Sequence, residues 1–65
     1  MSMEQINKKI VKATFEEMSN IAFWQDIITE CNEIRQNSTS IVETSEAEQL
    51  FCQAEHIIHK LNGDL

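Results

Sequence analysis

The sequence predicts an all-α fold, an antiparallel hairpin made of a long first helix and a shorter second one. Three observations predict it. The chain has no proline, and its one glycine, Gly63, stands near the end, so nothing earlier forces a helix to break. Apolar residues recur at the three-and-four spacing of an amphipathic helix. One polar stretch, Asn37-Ser38-Thr39-Ser40, interrupts them, and its short side chains compete for backbone hydrogen bonds, which marks a turn.

The first helix is expected over residues 3 to 36, opened by a Ser2-x-x-Gln5 capping box. Met3, Ile6, Ile10, Ala13, Ile21, Trp24, Ile28 and Cys31 form one stripe, with Ile27 and Ile34 on its shoulder. Val11, Phe15, Met18 and Ala22 form a second stripe on an adjacent face. Together they span more than half the helix circumference, too wide for one narrow seam. The second helix is expected from a Ser45/Glu48 capping box to about Asn62, with Asn62-Gly63 as a left-handed C-cap. Its apolar stripe is Ala47, Leu50, Phe51, Ala54, Ile57, Ile58 and Leu61.

Length sharpens the mismatch. At 1.5 Å per residue the first helix would run about 50 Å and the second about 27 Å, leaving roughly 24 Å uncovered. That overhang carries Ile6, Ile10, Val11, Phe15 and Met18, a strip large enough to be a protein-binding surface. Trp24 and Phe51 belong to the expected core, whereas Phe23 points away from both stripes and joins Phe15 as an aromatic anchor for a partner. The expected partner-binding set is thus Ile6, Ile10, Val11, Phe15, Met18, Ala22 and Phe23. The alternative is a break near Thr14, whose Thr-x-x-Glu spacing to Glu17 is itself a capping box, with residues 3 to 13 folding back as a third helix.

The 65 residues form a single domain of a size that buries a modest core and often needs help from a disulfide, a metal or another chain. The net charge is −6: residues 1 to 13 carry three lysines and one glutamate, while 14 to 37 and 38 to 65 each come to −4. A nucleic-acid binder gains affinity by neutralising phosphates, and three lysines do not offset eleven acidic groups, so nucleic acid is excluded as a partner. No apolar run approaches the roughly 20 residues of a membrane span. Glu16, Glu17 and Asn20 interrupt any hydrophobic signal core, so a cytoplasmic location with Cys31 and Cys52 reduced is expected.

Cys52, His56 and His59 fall on one face of the second helix. Cys52 and His59 are seven residues apart, about 10 Å along the axis, so one ion would reach only two of the three. Zinc takes four ligands, or three and a water, so no metal site is expected and no cofactor. The same residues offer no third orienting group and no oxyanion donors, so no enzyme is expected either. Glu4 and Lys8 should make an ordinary surface pair.

The end of the second helix, Ile57-Ile58-His59-Lys60-Leu61-Asn62-Gly63-Asp64-Leu65, resembles the C-terminus of the small type III secretion needle chaperones. The start, Met1-Ser2-Met3-Glu4-Gln5-Ile6, resembles their short polar lead into the first helix. Length, acidic balance, absence of proline and the order long helix, polar turn, shorter helix agree along the chain. It departs from that family in having no tyrosine and a Ser/Thr turn. The resemblance implies a hairpin that binds and stabilises a tetratricopeptide-like co-chaperone, and so helps keep the needle subunit from polymerising before export. The overhanging apolar surface would then meet the partner's helical repeats. The competing expectation is a homodimer, two hairpins closing a four-helix bundle in the manner of small plasmid- or phage-encoded regulators.

Overall fold

The computed structural model describes residues 2–63, and among the described residues it has four helices rather than two. They are α1 (Met3–Lys12), α2 (Phe15–Met18), α3 (Ile21–Asn37) and α4 (Ile41–Leu61). Met1, Asp64 and Leu65, which belong to the stretches that carry the family resemblance, lie outside the described residues.

The expected continuous helix over 3 to 36 is corrected at two points, and local hydrogen bonding explains both. Thr14 is extended (φ −78°, ψ 163°) and forms a complete capping box: its Oγ1 accepts from the Glu17 amide at 3.2 Å, and Glu17 Oε1 accepts from the Thr14 amide at 3.2 Å. A new helix therefore starts at Phe15, as the alternative reading allowed. It lasts one turn. Asn20 is again extended, and its Oδ1 accepts from the Ala22 amide at 2.9 Å, opening α3. The indole of Trp24 donates to the Met18 carbonyl at 2.7 Å, taking up an acceptor exposed where α2 ends. Replacing Thr14 with alanine should cost about 1 kcal/mol, read as a lower urea midpoint at unchanged slope.

The second expected helix also starts earlier. Ser40, not Ser45, is its N-cap, with Oγ accepting from the Glu43 amide at 3.3 Å, so Ile41 and Val42 fall in its first turn. Ser38 to Ser40 make the turn between α3 and α4. At the other end the expectation holds: Asn62 donates to the Ile58 carbonyl at 3.0 Å, and Gly63 takes φ 82°, open to glycine without strain.

The length relation is thereby reversed, since α3 has 17 residues and α4 has 21. These two helices pack along each other and α1 folds back onto both. Ala47 and Ala54, two turns apart on α4, are completely buried, and their small side chains let α3 approach closely. Phe23, Trp24, Ile27, Cys31 and Ile34 supply the α3 face of the core, and Met3 and Ile6 supply that of α1. Leu50, Phe51, Ile57 and Ile58 are half-buried around it, as the α4 stripe predicts, while Leu61 is exposed.

Polar contacts fasten α1 in place. Lys9 Nζ lies 3.3 Å from Glu30 Oε1 on α3 and 5.8 Å from the Phe23 ring centre. Phe23 and Trp24 meet edge to face at 5.1 Å. The surface pair Glu4 and Lys8 forms as expected, at 3.5 Å, and is worth a few tenths of a kcal/mol.

Candidate functional site

The seven residues expected to meet a partner are divided by the fold. Ile6 is fully buried and Phe23 nearly so, because α1 folds back onto α3 and α4. Both serve the chain's own core, which corrects their assignment to an outward surface. Ile10 is half-buried against that core and Ala22 is exposed. Val11 and Phe15 stand out at 84 % and 88 % exposure, with Met18 at 38 %. The break at Thr14 places Phe15 and Met18 on the separate single turn of α2, which contributes no buried residue.

Val11 borders an open groove of about 410 Å³ between α1 and α4. Met3, Glu4, Asn7, Lys8, Val11 and Lys12 line its α1 side, and Glu46 stands on the α4 side. One turn before Glu46 lies Val42, 69 % exposed, beside Ile41 at 86 %. This second apolar patch escaped the sequence reading, which began the helix at Ser45. The signal was present as two β-branched residues directly after a serine able to cap.

The Cys/His face of α4 has no comparable organisation. Cys52 and His56 line a shallow groove with Gln53 and Ile57. Among the described residues no group of three or more His, Cys, Asp or Glu side chains is arranged to hold a metal ion. Both thiols are free, Cys31 buried in α3 and Cys52 exposed on α4. Burial pushes the Cys31 thiol above its ordinary value, the Glu30 charge adds to the rise, and Arg35 opposes it. The folded state therefore holds Cys31 in its neutral form. Its contribution to stability is present below the thiol's ordinary range and is lost as pH rises through the raised value. A disulfide-exchange reagent at neutral pH should label Cys52 at once and Cys31 only after unfolding. Equal labelling rates for the two would contradict the packing.

Among the described residues no helix is long and apolar enough to cross a membrane. The chain matches no family model, no curated protein and no solved structure.

Proposed function

We propose that this chain is a non-catalytic binding module that docks onto a helical partner through the surface around Val11, Phe15 and Met18. Its role is the one the resemblance implies: a small cytoplasmic type III secretion chaperone that stabilises a helical-repeat co-chaperone and helps keep the needle subunit unpolymerised before export. One observation carries the reading. Val11 and Phe15 are more than four-fifths exposed, in a chain of a size that has little apolar area to spare.

A phenylalanine held out on a capped single turn contributes nothing to the core and fits the profile of an interface anchor, since large aromatic side chains supply much of the binding energy where they are desolvated. Helical repeats offer apolar grooves suited to it. The proposed surface is narrower than the sequence suggested, because Ile6 and Phe23 are engaged internally.

Co-expression with the helical-repeat co-chaperone of the host's secretion system tests the reading. The expected result is a stoichiometric complex that survives gel filtration, and that F15S combined with V11S abolishes while leaving helicity intact. Failure of the two wild-type chains to associate would contradict it.

A further inference from the structure

The first helix is gripped lightly. Among the described residues α1 supplies Met3 and Ile6 to the buried core, while α3 and α4 supply the other seven. Its link to the rest of the chain is Ala13-Thr14, two extended residues in succession (ψ 140° and 163°). α2 is held separately, because the Trp24 indole on α3 donates to its Met18 carbonyl at 2.7 Å.

The polar grip on α1 comes from Lys9, whose Nζ lies 3.3 Å from Glu30 Oε1 on α3. That carboxylate is incompletely satisfied. Its second oxygen, Oε2, is buried without a hydrogen-bond partner among the described residues, which disfavours the closed position.

We infer that α1 is a strap that opens as one unit about Ala13-Thr14, with the Lys9 and Glu30 pair as its latch, while α3 and α4 stay folded. Opening uncovers Phe23, whose ring centre lies 5.8 Å from Lys9 Nζ, and gives Glu30 Oε2 to water. The solvation regained offsets part of the apolar burial lost with Met3 and Ile6. A ten-residue helix is marginal in water on its own, so a released α1 also loses its helical hydrogen bonds. Opening and unwinding become a single event. The pivot carries Val11 away from Phe15, which stays with α2. A partner that grips both would hold the strap shut, but opening belongs to the free chain and its test needs no partner.

Native-state amide exchange of the free chain in low urea reads the strap directly. Amides of residues 6–12 should share one opening, with a common urea slope, at least about ten-fold more frequent than the opening of the α3 and α4 core. Two variants then locate the latch. K9M keeps the aliphatic stem but removes a charge contact that is lost when the strap opens, so residues 6–12 should exchange roughly five-fold faster. R35A removes the Arg35 contact with the Phe51 ring, 5.0 Å away, which joins α3 to α4 whether the strap is open or closed. It should speed exchange in the α3 and α4 core and leave residues 6–12 unchanged. Four results would each overturn the proposal: residues 6–12 exchanging only together with the core, residues 6–12 fraying one by one without a urea slope, K9M at the wild-type rate, or residues 6–12 following the core in R35A. The first two are read on the wild type, so they stand even if a substitution lowers helicity.

Discussion

Replacing Ile27 with alanine should remove a large fraction of the chain's stability at 25 °C, or all of it. Ile27 has no exposed surface and sits mid-way along α3, where α1 and α4 both close over the core. Truncation removes three methyl or methylene groups and leaves a cavity, a change that costs about 3 to 4 kcal/mol in well-packed cores. A domain of this length commands a total of only about 3 to 10 kcal/mol. The loss thus takes a large fraction of the stability, or all of it. Helical circular dichroism should fall steeply, and the urea transition should move towards zero denaturant. Ile27→Val, which removes one methylene group, should cost about 1 kcal/mol and keep a cooperative transition.

Trp24 should show the second large effect, and it separates packing from hydrogen bonding. The indole is buried at 4 % exposure, meets Phe23 edge to face and donates to the Met18 carbonyl at 2.7 Å. Trp24→Ala should cost about 4 kcal/mol, from lost area together with the cavity. Trp24→Phe keeps much of the apolar area and loses the donor, so about 1 kcal/mol is expected from the hydrogen bond. The phenylalanine variant should also free the single turn of α2. Faster amide exchange confined to residues 15–20 would show it, and uniform acceleration along the chain would argue that Trp24 acts by packing alone.

These effects trace what the sequence made legible. The α4 stripe, the Ser2 capping box and the Gly63 cap are local signals, and the fold uses all of them. The start of α4 was missed by one turn because two serines, Ser40 and Ser45, both stand at capping positions, and propensity does not rank them. The breaks in the first helix were half legible. Thr14 and Glu17 announced one, but good helix formers on either side favoured continuity. What decides against continuity is tertiary: α1 gains the burial of Met3 and Ile6 by folding back, and Trp24 secures the end of α2. Neither gain is visible in the periodicity of one segment.

The candidate surface shows the same division. Val11, Phe15 and Met18 were legible as a stripe displaced from the main one, and they remain outside the core. Ile6 and Phe23 were misplaced for one reason: each lies on a face covered only when α1 folds back, and a straight helix leaves both bare. The length mismatch that first suggested an uncovered strip does not survive, since α4 is the longer helix. The exposed apolar residues survive it: Val11 stands on the outward face of α1 and Phe15 on the single turn of α2.

Amide hydrogen exchange on the complex with the helical-repeat co-chaperone tests the central claim most directly. Binding should protect residues 11–18 and leave the core amides of α3 and α4 at the rates of the free chain. Protection confined to the Cys52/His56 face of α4, with residues 11–18 unchanged, would contradict the proposal that this protein binds through Val11 and Phe15.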